Sequence, residues 1–86
     1  MYSKEVLVRC ESGLHNRQAT YFVQKANEFQ SEILVKTGNR EMNAKSLMGI
    51  MILEIVSGST ITLQAKGEDA EAAVNALEEL LQRDVY

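Results

Sequence analysis

The sequence predicts an α+β fold, an open-faced sandwich of order βαββαβα in which a four-stranded antiparallel sheet carries three helices on one face. Four short segments alternate polar and apolar residues or are rich in branched aliphatics, which indicates strands. Three other segments carry apolar residues at spacings of three and four, which indicates amphipathic or buried helices. Because the strands have one apolar side, helices should cover one sheet face while water contacts the other. With 86 residues and no internal repeat or linker, residues 1–86 are expected to form a single domain.

The strand pattern occurs in four places. Residues Tyr2 to Cys10 alternate until Gly13 ends the segment, and Glu32 to Lys36 is rich in branched aliphatics. A tight turn at Gly38-Asn39 then predicts a hairpin with Arg40 to Asn43 as the returning strand. The last strand is expected from Thr60 to Lys66, with its inward residues being Ile61, Leu63 and Ala65.

Three helices follow from the apolar spacing. The first should run from Asn16 to Phe29, and the second from Leu47 to Leu53 with Ser46 as its N-cap. The third should begin after Asp69, again a suitable cap residue, and its apolar stripe comprises Ala70, Ala73, Val74, Leu77, Leu80 and Leu81.

The short second helix has no polar face. Ile50 is expected in the core, but a helix of this length cannot hide every side chain. Leu47, Met48 and Met51 are therefore predicted to form an exposed apolar patch for docking partners, since methionine adapts to different surfaces.

Composition argues against several classes of protein. The net charge is −3, basic residues are scattered and tryptophan is absent, so direct binding of nucleic acid is not expected. The N-terminus lacks a signal-peptide core and no apolar run is long enough to insert in a membrane. Cys10 is the only cysteine and is expected to be a small buried hydrophobe, as suits the reducing cytoplasm where we expect the protein to reside.

The acidic residues do not indicate a catalytic or metal site. One histidine and one distant cysteine do not make a zinc site, and no pair of carboxylates has a spacing that suggests acid–base catalysis. We expect neither a metal nor a cofactor. The carboxylates considered are expected to be solvated surface groups: Glu28, Glu32, Glu54, Glu68, Asp69 and Glu71.

The stretch from Ser12 to Ala19 is the main candidate for function, because it holds the only histidine at a change from strand to helix pattern. If the helix begins at Asn16, His15 occupies the capping position and Arg17 lies in the first turn. Backbone N–H groups of a first helical turn lack intrahelical partners and attract anions. An imidazole beside them can attack a phosphoryl group while Arg17 and the helix dipole hold its charge. A phosphoryl-accepting histidine is therefore the leading hypothesis, although a lone histidine in this position is more commonly a simple cap or surface residue.

Two motifs carry a resemblance to a known family. The segments Gly13-Leu14-His15-x-Arg17 and Asn43-Ala44-Lys45-Ser46-Leu47-Met48-Gly49-Ile50-Met51 resemble HPr, the phosphocarrier of the bacterial sugar phosphotransferase system. Gly67-Glu68-Asp69 before the last helix matches as well. The resemblance covers essentially the whole chain in length and element order.

This resemblance implies a stoichiometric carrier, not an enzyme. His15 would accept a phosphoryl group on Nδ1 from enzyme I, which phosphoenolpyruvate charges, and would pass it to sugar-specific IIA proteins. Arg17 would steady the phosphate, and Ser12, Asn16 and Gln18 are predicted to contribute to phosphate binding.

The resemblance also implies regulation at Ser46. In Gram-positive members an ATP-dependent HPr kinase/phosphorylase phosphorylates the matching serine, and that form is a corepressor for the regulator CcpA. A phosphate at Ser46 would lie at the positive end of a helix dipole and should stabilise that helix, so its effect is expected on partner binding.

Two positions beside the histidine depart from the family pattern. The family usually has a small residue where Asn16 stands and a proline where Gln18 stands. The Gln18 side chain could return to the His15 backbone N–H as in a capping box, or the additional Gln18 N–H could bind phosphate. Asn16 adds bulk at the expected docking rim for enzyme I. These departures keep a second hypothesis close, a regulatory coeffector like Crh, a relative of HPr that keeps the serine but has glutamine in place of the histidine.

Overall fold

A computed structural model describes residues 1–85. Its seven elements, in chain order, are β1 Tyr2–Leu7, α1 Asn16–Ala26, β2 Glu32–Thr37, β3 Arg40–Asn43, α2 Leu47–Leu53, β4 Thr60–Lys66 and α3 Ala70–Gln82. The strands form one sheet in the order β1-β4-β2-β3, and all three neighbouring pairs are antiparallel. The predicted α+β class, element order and open sheet are confirmed.

One face of the sheet is apolar and lies against the helices. Val6 of β1 is opposite Ile61 of β4, and Val35 of β2 is opposite Leu63 of β4. All four side chains are buried, as are Ala65 and Ile33 in the next pair. The alternation read from the sequence therefore does set which side of each strand faces the helices.

The helix α3 packs on β1 and β4, α1 packs against α3 and α2 and adds side chains to the same core, and α2 packs beside β3. Among residues 1–85, Phe22 of α1 is the largest fully buried side chain. The stripe expected on α3 is buried except for Leu80, which is half-buried. Of the helices within residues 1–85, none has the length and apolar character needed to cross a membrane.

The first strand is shorter than predicted, ending at Leu7 instead of Cys10. Val8 still exchanges backbone hydrogen bonds with Ser59 and Gly58 just before β4, but the Arg9 and Cys10 N–H groups both donate to the Leu81 carbonyl, at 2.7 and 3.0 Å. Cys10 is nevertheless buried, as expected, because the alternation continues after strand pairing has ceased.

The first helix also ends early, at Ala26 instead of Phe29. The Asn27 side-chain amide donates to the Val23 carbonyl at 2.9 Å and to the Lys45 carbonyl at 3.2 Å, which ties the helix end to the loop before α2. Phe29 still packs against the core from the following turn. The apolar spacing therefore predicted correctly that Phe29 packs against the core, but it placed the end of α1 too late in the chain.

Asp69 precedes α3, as predicted, but its carboxylate does not cap that helix. It accepts hydrogen bonds from the Gln30 N–H at 2.9 Å, from the Ser31 N–H at 3.0 Å and from the Ser31 hydroxyl. These bonds, led by the Ser31 hydroxyl, hold the pKa of Asp69 below its ordinary value. Asp69 is thus a half-exposed structural link to the loop before β2, a role that its expected assignment as a solvated surface acid did not include.

Candidate functional site

Gly13 positions the turn that delivers His15 to the start of α1. Its φ is +65°, in the left-handed region, and an added Cβ would meet the Ile55 carbonyl oxygen and lie 2.9 Å from the Val56 Cα. The next residue, Leu14, is fully buried and its N–H donates to the same Ile55 carbonyl at 2.9 Å. This anchored turn fixes the direction from which His15 enters the site.

His15 occupies the N-cap position of α1 and its ring makes no capping hydrogen bond. The residue has extended backbone, with φ −128° and ψ 158°, and α1 begins at Asn16, as predicted. The side chain is half-buried and lines an open groove of about 330 Å³. An incoming group can therefore reach the imidazole.

The residues predicted to bind phosphate all line this groove. Ser12, Asn16 and Arg17 are exposed and lie in it together with His15 and Gln18. Within residues 1–85, no carboxylate lies within ion-pair distance of the Arg17 guanidinium. The groove therefore places a cation and the first turn of a helix beside the ring, an arrangement suited to an anion.

Asn16 has a positive φ of +51°. Apart from glycine, asparagine is among the residues that enter this left-handed region at least cost. The side chain is exposed and lines the groove, and its expected place at the docking rim for enzyme I stays a prediction. Asparagine is thus suited to the backbone conformation of this position as well as adding polar bulk there.

The Gln18 side chain does not make the capping-box hydrogen bond that one of the two sequence hypotheses required. The residue is only 3% exposed, and its amide group points to the C-terminal end of α3. Nε2 donates to the Leu80 carbonyl and, at 3.1 Å, to the Arg83 carbonyl, while Oε1 accepts from the Val85 N–H at 3.1 Å. The capping-box hypothesis for Gln18 is therefore wrong, and phosphate binding by the Gln18 backbone N–H stays a prediction.

Two residues of the groove were missed by the sequence reading, Asp84 and Val85. The Asp84 carboxylate accepts a hydrogen bond from the Glu11 N–H at 2.7 Å, which ties it to the loop that precedes the His15 turn. No local motif marks either residue, because their place depends on where α3 ends relative to α1. Their presence adds a carboxylate to a groove that also holds a guanidinium.

Cys10 lies close to this groove but is enclosed. Its Sγ donates to the Gly13 carbonyl at 3.5 Å. Burial raises the pKa of the Cys10 thiol, and the neighbouring Asp84 charge adds to the effect. Both causes favour the unreactive protonated thiol.

Ser46 caps α2 as predicted. Its side-chain oxygen accepts a hydrogen bond from the Gly49 N–H at 3.1 Å, and the residue is half-buried. The oxygen that would receive a regulatory phosphate is therefore already directed at the start of a helix.

The apolar patch is exposed as expected. Leu47, Met48 and Met51 are 41%, 74% and 54% exposed and line a broad groove of about 630 Å³, whereas Ile50 is buried. Ile52, which is 46% exposed, also lines this groove and was not included in the predicted patch. The sequence signal for it was present, since α2 lacks a polar face.

Fold and site together define a small α+β domain with an accessible imidazole at one helix start and, separately, a serine that caps a short helix beside an apolar groove. Comparison with known proteins agrees. Residues 2–83 match the family model PTS-HPr, described as the PTS HPr component phosphorylation site. The chain belongs to the HPr family.

Individual relatives cover nearly the full length. The HPr-like protein Crh of Halalkalibacterium halodurans is 45% identical, over 98% of this chain and 100% of that protein. The phosphocarrier protein HPr of Haemophilus influenzae is 42% identical, over 94% of this chain and 95% of that protein. The crystal structure of HPr from Bacillus anthracis has a TM-score of 0.92 at 44% identity, covering 94% of this chain and 96% of that one. The chain is thus similar to both HPr and Crh.

Proposed function

We propose that this protein is the phosphocarrier of a phosphoenolpyruvate-dependent sugar phosphotransferase system. His15 accepts a phosphoryl group from enzyme I and donates it to IIA proteins in the cytoplasm, so the chain is a carrier that is consumed and regenerated. The single observation that supports this most strongly is the accessible His15 ring at the start of α1, which makes no capping hydrogen bond, in a chain of the HPr family.

The groove supplies what such a transfer needs. The ring nitrogen forms the new P–N bond as the bond from phosphorus to the donor breaks, and the partner departs with that electron pair. The Arg17 guanidinium can then donate up to two charge-assisted hydrogen bonds to the phosphate dianion, and the first-turn N–H groups of α1 offer further donors. This chain provides the accepting ring nitrogen and the groups that bind the phosphate, and the partner provides the remaining catalytic groups.

Phosphotransfer from enzyme I tests this function. The protein incubated with enzyme I and phosphoenolpyruvate should acquire acid-labile phosphate, and His15→Ala should acquire none. Arg17→Gln should be labelled about 10- to 100-fold more slowly, the effect of losing one or two charged hydrogen bonds. Lys66→Gln, which removes an exposed cation from the β4 end outside the groove, is the matched control and should be labelled at the wild-type rate. Absence of acid-labile label in the wild type would refute the proposal.

A second function, regulation in the manner of Crh, is favoured by Ser46. The serine is an intact helix cap beside the apolar groove, and the similarity to Crh is as high as that to HPr. In this proposal HPr kinase/phosphorylase modifies Ser46. A CcpA-type regulator then binds the phosphoserine with its basic side chains and makes apolar contacts with the patch of Leu47, Met48 and Met51.

Kinase labelling separates the two functions. Regulation predicts acid-stable phosphate from the kinase that is lost in Ser46→Ala, with regulator binding lost as well. Ser57→Ala, an exposed serine in the loop after α2, is the control and should behave as wild type. Acid-stable labelling without enzyme I labelling would favour regulation, whereas failure of the kinase on the wild type would exclude it.

A further inference from the structure

Gln18 is one of only two buried polar side chains in the described part of the chain, together with Ser31. Burying an amide is costly unless its hydrogen-bonding groups are satisfied. Both Nε2 hydrogens are used, on the Leu80 and Arg83 carbonyls, and Oε1 accepts from Val85. The amide therefore has a specified orientation and specified partners.

Those partners are the end of α3 and the residues that follow it. The last four carbonyls of a helix lack intrahelical donors, and Leu80 lies in the last turn of α3. The Gln18 Nε2 group donates to the Leu80 carbonyl in that turn and also to the Arg83 carbonyl, while its Oε1 accepts from the Val85 N–H. One side chain of α1 thus fastens the segment from Arg83 to Val85.

The fastened segment forms a wall of the His15 groove. Asp84 and Val85 line the groove together with Gln18, and the Asp84 carboxylate also accepts a hydrogen bond from the Glu11 N–H at 2.7 Å. The groove consequently contains a carboxylate as well as Arg17. A carboxylate near a phosphate dianion repels it and offsets part of the attraction from the guanidinium.

We propose that Gln18 is a positioning residue that fixes the C-terminal segment, and with it the Asp84 carboxylate, as an acidic wall of the His15 groove, and that this wall weakens phosphate binding there. A weakly held phosphoryl group suits a carrier that must release it again. The inference deepens the proposed phosphocarrier function and rests on it for that meaning, but the wall itself is testable without any partner protein.

The first measurement is amide hydrogen exchange of Val85. Gln18→Met keeps the size of the side chain and removes its hydrogen bonds, so exchange at Val85 should accelerate about tenfold or more, as a hydrogen bond of ordinary strength implies. Core amides such as that of Leu63 should remain protected, which shows that the variant is folded. Unchanged exchange at Val85 would overturn the proposal.

The second measurement is a titration with inorganic phosphate, followed by the amide shifts of residues 15–17. Asp84→Asn and Gln18→Met should each bind phosphate about two- to fivefold more tightly, the effect of removing one nearby screened charge. The double variant should bind no more tightly than Asp84→Asn alone, because Gln18 acts through the wall. Glu71→Gln removes an equal charge from the exposed start of α3 and should leave binding unchanged.

Each outcome of the phosphate titration either supports or overturns the proposed acidic wall. Additive effects of Gln18→Met and Asp84→Asn, equal binding in all variants, or no saturable binding in any of them would overturn the proposal. Tighter, non-additive binding together with no labelling by enzyme I would support the acidic wall while refuting the phosphocarrier function, so the two failures are distinguishable.

Discussion

At the scale of single residues, Gly13 governs whether His15 reaches its groove. Two independent constraints apply, a left-handed φ and backbone atoms of residues 55 and 56 where a Cβ would stand. Gly38 in the β2–β3 turn shares the first constraint, with φ +59°, but an added Cβ there would have nothing within 4 Å. Alanine substitutions at Gly13 and Gly38 can therefore separate the cost of backbone strain from the cost of steric conflict.

We predict that Gly13→Ala lowers the free energy of unfolding by about 3 kcal/mol, the sum of left-handed strain and overpacking. Gly38→Ala, with strain alone, should cost about 1 kcal/mol. Urea denaturation of the two variants checks this difference. Equal losses at the two positions would show that the close approach of Gly13 to Ile55 does not constrain the site loop.

Asp69 gives a pH dependence of stability. Its folded pKa lies below the ordinary value of 3.8, so its contribution is complete above that value and is lost as the pH falls through the folded pKa. The stability lost in Asp69→Asn should therefore be largest at neutral pH and should shrink as the pH falls below the ordinary value. Thermal unfolding from pH 7 to pH 2 measures it, with Glu68→Gln, an exposed neighbour, as the control. A difference that grows on acidification would contradict the assigned hydrogen bonds.

At the scale of elements, α2 depends on its cap more than the longer helices do. It has seven residues, and isolated helices of that length are unstable in water. Its start is held by the Ser46 side chain and its end by Glu54, which adopts a left-handed conformation with φ +50°. Its outer side chains contribute little burial, since four of them line the open groove.

Loss of the cap should therefore be measurable, and phosphorylation should act in the opposite direction. Ser46→Ala should lower the free energy of unfolding by about 1 kcal/mol, whereas Ser57→Ala should change it by less than about 0.5 kcal/mol. Phosphorylated Ser46 should slow amide exchange within α2, because the added charge lies at the positive end of its dipole. Faster exchange in α2 after phosphorylation would show that the modification melts the helix.

At the scale of the whole molecule, local sequence patterns predict which helices and strands form. Contacts between residues distant in sequence decide where some of these elements end. The bounds of α2, β3 and β4 match the prediction, because caps, turns and alternation that specify them lie within the segments. The ends of β1 and α1 were misplaced since Leu81 and Lys45, which redirect the backbone there, are distant in sequence.

The candidate site divides in the same way. His15, Arg17 and Ser46 lie in local motifs and were placed correctly at helix starts. The partners of Gln18 and the presence of Asp84 in the groove were not foreseen, since more than 60 residues separate Gln18 from the end of α3. No spacing rule within one segment reports a contact between two helix ends.

A phosphocarrier must not only receive a phosphoryl group on His15 but also pass it on. The most direct measurement isolates the chain phosphorylated at His15, removes enzyme I, and adds a IIA protein. We predict that the acid-labile label leaves His15 and appears on the IIA protein, faster than the label is lost to water. Label that stays on His15, or leaves only as inorganic phosphate, would contradict the phosphocarrier function.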